Sequence, residues 1–139
     1  MIPRFRGRSV EAFSEEEWKY GYLIEDEGYS FIINQVIEAN EQYITIGSWC
    51  PVNPDTLGQS TGLFDKEGTE VFEGDILHHQ IQTEYTFIVK YDKDKGRWYG
   101  DGLSRTYRID IAKRFLPHYY KVIGNIYENQ ELLEVENKN

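Results

Sequence analysis

Apolar and polar residues alternate along much of this chain, and a period of two predicts strands. In "WKYGYLI", Trp18, Tyr20, Tyr22 and Ile24 share one side and Lys19 and Gly21 the other, the mark of a half-buried strand. "EDEGYSFII" follows as an acidic turn with Gly28 able to take positive φ, then a returning strand from Tyr29 to Ile33, so the pair predicts a hairpin. A further strand is expected around Tyr43 to Ile46, whereas the two prolines of "CPVNPDTLG" interrupt pairing and make residues 50–58 a connection. Leu63 and Phe64 run into "DKEG", "TEVF" runs out again, and a second glycine turn at Gly74 launches Ile76 and Leu77 into a new strand. "YTFIVKY", the loop "DKDKG" and "RWYG" predict another hairpin, with Tyr85, Phe87, Val89 and Tyr91 on one side. "TYRIDI" and "YKVIGNIY" complete the strands.

Helical signals are brief. Ser14 and Glu17 have capping-box spacing and can start a short helix or turn, "AKRFL" reads as one helical turn stopped by Pro117, and "QELLEVE" as a frayed terminal helix. The expected fold is therefore mainly β: an N-terminal antiparallel sheet of about three strands, joined to a small SH3-like or related barrel over most of the remainder, with short helices. Residues 1–139 read as a single domain, with an internal seam at 50–62.

Composition narrows the class. Aromatics make up 15% of the chain, with eleven Tyr, which argues for a packed β-rich domain rather than disorder. No apolar run reaches the roughly 18 residues a membrane helix needs, the first residues lack the apolar core of a secretory signal, and Cys50 is the sole cysteine; these point to the cytoplasm and away from disulfides and cysteine metal cages. The net charge of -9 is unevenly spread: +3 over residues 1–10, -14 over 11–84, +5 over 85–124 and -3 over 125–139. An acidic protein is a poor general binder of polyanions, yet residues 85–124 could supply a local basic face, or could fold against the acidic region and be neutralised by it.

Candidate chemistry is sparse. Glu73 and Asp75 are spaced to face one way on a strand, but tight glycine turns carry solvated acids at their rims. His78 and His79 point to opposite faces of any strand, so at most one could join His118 in a metal site. Cys50 has no nucleophile signature around it, and there is neither a phosphate-cradling glycine loop nor a dinucleotide fingerprint. The reading is thus no catalytic residue, no metal and no cofactor. One constellation stands out: Lys93, Lys95, Arg97, Trp98 and Tyr99, with Arg105 and Arg108 nearby, interleaves cations and rings as single-stranded nucleic acid requires. On a strand, Trp98 and Tyr99 could instead straddle the sheet while the lysines solvate a loop.

The blocks "RFRGRSV" with "EWKYGYLI", "GQSTGLFDKEGTEVFEGDIL" and "VIGNIYENQELL" resemble the YopX family of phage and prophage proteins, in the same order and over most of the chain. Gln130 stands where the family tends to have proline, and the stretch between Arg8 and Trp18 is longer than usual. The resemblance implies a β-rich cytoplasmic protein of a bacterial host, encoded by a phage or prophage, with no activity to transfer. The leading expectation is a non-enzymatic interaction module that binds a host or phage protein, or a second copy through acidic and basic complementarity, with no membrane association. The alternative is a single-stranded nucleic-acid-binding accessory factor using the basic and aromatic face of residues 85–124.

Overall fold

The computed structural model describes residues 2–103, 108–111 and 116–137. Among these described residues, ten strands and two short helices follow in order: β1 (Phe5–Ser9), β2 (Trp18–Asp26), β3 (Tyr29–Ala39), β4 (Ile44–Phe64), β5 (Glu70–Phe72), β6 (Asp75–His79), β7 (Thr86–Asp92), β8 (Arg97–Gly102), β9 (Ile109–Asp110), α1 (Leu116–Tyr119), β10 (Tyr120–Asn125) and α2 (Gln130–Asn137). The strand pairings among the described residues are antiparallel, so the mainly β architecture with short helices is as the alternation predicts. The chain divides into two compact units, Met1–Ser60 and Thr61–Asn139.

In the first unit, four strands close on themselves: β1 pairs with both β2 and β4, and β3 lies between β2 and β4. The closure therefore lies in the N-terminal unit, whereas the sequence reading places the barrel after residue 62. The reason is that β4 does not stop at its prolines. It pairs with β3 from Ile44 to Val52 and with β1 from Val52 to Gln59, so residues 50–58 are strand rather than a connection. Pro51 offers no N–H, but its carbonyl accepts the Val10 N–H at 3.1 Å. Pro54 sits where the register shifts between Arg6 and Arg8, in a bulge that asks no ladder bond of it. There the Thr56 hydroxyl accepts the Arg8 N–H at 2.9 Å, supplying the acceptor that a regular partner strand would provide. Inside the ring lie Ile32, Cys50 and Val52, all buried, with Gly7 leaving room for Val52 and Leu57: a Cβ on Gly7 would meet Val52 Cγ2 at 2.9 Å.

The β2–β3 hairpin turns through Glu27 (φ 49) and Gly28 (φ 86), two successive positive φ values that match the right-handed twist of the strands they join. The capping-box residues Ser14 and Glu17 form turns, not a helix: Glu17 N–H donates to the Ser14 carbonyl at 3.0 Å and the Ser14 hydroxyl meets that of Ser9 at 2.8 Å.

The second unit holds a five-stranded sheet in the order β10-β6-β7-β8-β9. Val71, Leu77, Phe87, Val89, Leu116 and Tyr120 form its buried cluster, with Trp98 and Val122 among the residues packed on it. Each such side chain contributes roughly 1.5 to 3 kcal/mol of burial. Pro117 lies within α1, which runs on to Tyr119, so it does not end that helix. Of "AKRFL", residues 112–115 lie outside the described residues.

Candidate functional site

The basic and aromatic constellation is placed by the β7–β8 hairpin. Because β8 alternates, Trp98 points toward the core and meets Tyr91 edge-on at 4.9 Å, whereas Arg97 and Tyr99 share the opposite face. The ring best suited to stack on a base is therefore engaged in packing. On Tyr99's side, cations and aspartates pair across neighbouring strands: Lys90 with Asp101 at 2.5 Å, Arg97 with Asp110 at 3.4 Å, and Arg108 with Asp92. The Arg108 guanidinium also lies 3.8 Å from the centroid of the Tyr99 ring. Lys93 and Lys95 sit exposed in the turn, and Arg105 lies outside the described residues. Among the described residues Lys90, Arg97 and Arg108 are each matched by an aspartate of the same 85–124 segment.

The Arg108 hydrogen bond holds the Asp92 carboxyl below its ordinary range, helped by the N–H groups of Lys95 and Asp94, and the same bond pushes Arg108 up. A carboxyl depressed in the folded state contributes stability fully above its unfolded value, and that contribution is lost as pH falls through the folded value. We expect carbon-detected NMR titration to give Asp92 a midpoint below the usual ~3.9, moving back toward it in Arg108→Gln.

Asp75, singled out in the sequence, and Asp65 do structural work. Asp65, 3% exposed, accepts the N–H groups of Glu67 and Thr69 through Oδ1 at 2.9 and 2.8 Å and that of Val122 through Oδ2 at 2.8 Å. Asp75 is buried and accepts the Phe72 N–H at 2.8 Å. They are not rim acids but fasteners of the turns. His79 accepts the N–H groups of Ile81 and Gln82 at Nδ1 and stacks on Tyr119, while His78 bonds the Thr83 carbonyl. Among the described residues, no group of three or more His, Cys, Asp or Glu side chains could hold a metal ion. No helix among them is long and apolar enough to cross a membrane.

A different surface, unnoticed in the sequence, lies on the first unit. The register puts Tyr22 opposite Ile33 and Ile33 opposite Trp49; in the adjacent row Ile24 faces Phe31 and Phe31 faces Pro51. These rows lie on the side of the sheet away from Ile32 and Cys50, so they face outward. Tyr22 is 51%, Ile24 47% and Trp49 57% exposed, and Trp49 meets Phe31 edge-on at 5.7 Å. Ile33, flanked by Tyr22 and Trp49, is only 7% exposed. Beyond Ile33, β3 has no register partner on β2, and β3 and β4 continue as a two-stranded ribbon with exposed Val36, Ile37, Ile44 and Ile46. The alternation in "WKYGYLI" was the available signal, but the apolar row proves to be the outward one.

The YopX protein family matches residues 11–134. The chain belongs to the YopX family. This YopX family member is also similar to a protein of known crystal structure, EF1440 from Enterococcus faecalis, with 30% identity and a TM-score of 0.67 over 96% of this chain and 99% of that one. No curated protein matches the chain.

Proposed function

We propose that this YopX family member is a non-enzymatic protein-interaction module of the host cytoplasm, serving a phage or prophage, whose contact surface is the outward face of β2, β3 and β4. The observation that carries the reading is the contiguity of Tyr22, Ile24, Phe31 and Trp49 across three paired strands. Isolated exposed apolar side chains are ordinary, but a continuous aromatic patch marks a contact site, and Trp and Tyr are the residues that dominate binding energy at protein interfaces. The nucleic-acid reading has less support, because Arg97 and Arg108 are paired with aspartates and Trp98 is packed on the core.

Site-specific photo-cross-linking tests the proposal. A benzophenone amino acid replaces Tyr22 or Trp49 in turn, with exposed Ile81 as the control position, in bacterial cells that carry the natural partners. Discrete, nuclease-resistant protein adducts from positions 22 and 49 but not 81 are expected. If those positions give no adduct, and the purified protein binds single-stranded DNA in a salt-sensitive manner that Arg97→Ala abolishes, the nucleic-acid reading replaces this one.

A further inference from the structure

Building on the proposed contact surface, we infer that its occupant is a basic protein segment, one that seats apolar side chains on Tyr22, Ile24, Phe31 and Trp49 and carries lysine or arginine beside them. Two independent observations lead there.

The first is charge. From Tyr20 to Asp65, a span that contains β3, β4 and most of β2, there is no lysine, arginine or histidine, against seven acids. Asp26 is in register with Tyr29, the next outward row after that of Ile24 and Phe31, and Glu27 follows it in the hairpin turn; Glu25, in register with buried Ser30, lies in the opposite row. Glu38 and Glu41 lie at the opposite end of β3, so acids bracket the apolar rows along a strand of roughly 36 Å. Over the rows of Tyr22, Ile24, Phe31 and Trp49, away from the arginines at the Trp18 end, a nucleic acid or an anionic lipid surface would meet acids and no cation. A second copy presenting the same face would do so too.

The second is how the molecule covers the rest of this face. On β2 the outward row runs Trp18, Tyr20, Tyr22, Ile24, and its first half is covered by arginines of β1 and of the residue before it: Arg6 over Trp18 at 4.7 Å, Arg8 over Trp18 at 5.8 Å, and Arg4 over Tyr20 at 5.7 Å. Guanidinium on an aromatic face, with its stem lying on apolar surface, is the pairing this row accepts. β1 ends its pairing with β2 at Gly21, opposite Phe5, and among the described residues no arginine lies over the similar rings of Tyr22 and Trp49. A partner bearing cations extends that covering, the complementary charges serving recognition and encounter rate while the rings supply affinity.

Panning a random dodecapeptide library against the full chain, with Trp49→Ala as the counter-selection, tests the inference. Selected peptides are expected to be net positive with aliphatic or aromatic anchors. Their affinity, measured by fluorescence polarisation, should fall about tenfold in the Asp26→Lys, Glu27→Lys double variant and with added salt. Ile24→Ser serves as a second variant of the face, and the melting curves of all variants show that they fold. Neutral or acidic binders, binding indifferent to charge reversal, or failure to select any Trp49-dependent peptide overturns the basic-segment inference. A dimer by light scattering that Trp49→Ala dissociates overturns it in favour of a second copy. The interaction-module reading is judged separately, by the cross-links from positions 22 and 49.

Discussion

Gly21→Ala is expected to cost about 4 kcal/mol, near the top of the range for single substitutions. A Cβ at this position would lie 2.1 Å from the Ile33 carbonyl oxygen and 2.9 Å from its carbonyl carbon. Those are backbone atoms, and they cannot step aside, because Ile33 is also in register with Trp49 on β4. Gly21 is also where β2 changes partner: it pairs with Phe5 of β1, and the next residue, Tyr22, pairs with Ile33 of β3. The glycine thus allows one strand to serve two neighbours in a closing ring. Gly28→Ala is the comparison that isolates the cause. It also has positive φ, at 86°, but nothing lies within 4 Å of its Cβ position, so only the backbone conformation is penalised, at about 1 kcal/mol. Urea denaturation of both variants should show the larger loss at Gly21. Equal losses would mean that conformation, and not the Ile33 carbonyl, is what the glycine serves. Displacing the Tyr22–Ile33 row would also disturb Trp49, so Gly21→Ala is a poor probe of binding.

Asp65→Ala is expected to cost about 3 kcal/mol and Asp65→Asn about half as much. Hydrogen bonds to a carboxylate contribute roughly 1.5 to 3 kcal/mol each, but water can re-solvate the exposed turn at Glu67 and Thr69, so the full sum is not lost. Asparagine keeps one carbonyl oxygen for those two N–H groups, yet it offers its NH2 group to the Val122 N–H, where two donors would face each other. Hydrogen exchange separates these effects. The Val122 amide should exchange faster in both variants, and the Thr69 amide only in Asp65→Ala. Unchanged protection at Val122 would show that the Lys66 N–H bond to the Tyr120 carbonyl, at 2.8 Å, is enough to hold β10 to this turn.

Much of the architecture was legible in residue order. The hairpins around Gly28, the turns at Gly68 and Gly74, and the β7–β8 pair all carry local turn chemistry beside alternating strands, and each forms where that chemistry stands. Residues 50–58 were not legible, because proline marks a strand break only when a ladder bond is required of it. At Pro51 and Pro54, distant β1 removes that requirement through the Pro51 carbonyl and the Thr56 hydroxyl. The basic constellation was legible as a group of residue types but not as a surface, since the pairing of Arg97 with Asp110 and Lys90 with Asp101 depends on which strands lie side by side.

The sequence by itself determined where strands alternate, where they turn and which family the chain resembles, because these rest on neighbours within a few residues. Only the tertiary structure decided which side of each strand is the inside. A period of two sorts side chains into two rows and treats the rows alike; burial is assigned by what packs against each. In β2, the crowding of Gly21 against Ile33 and the closing of β1 onto β4 turned the row of Leu23 inward and left the aromatic row facing out. The surface proposed to bind is that outward row, extended across β3 and β4 by their register.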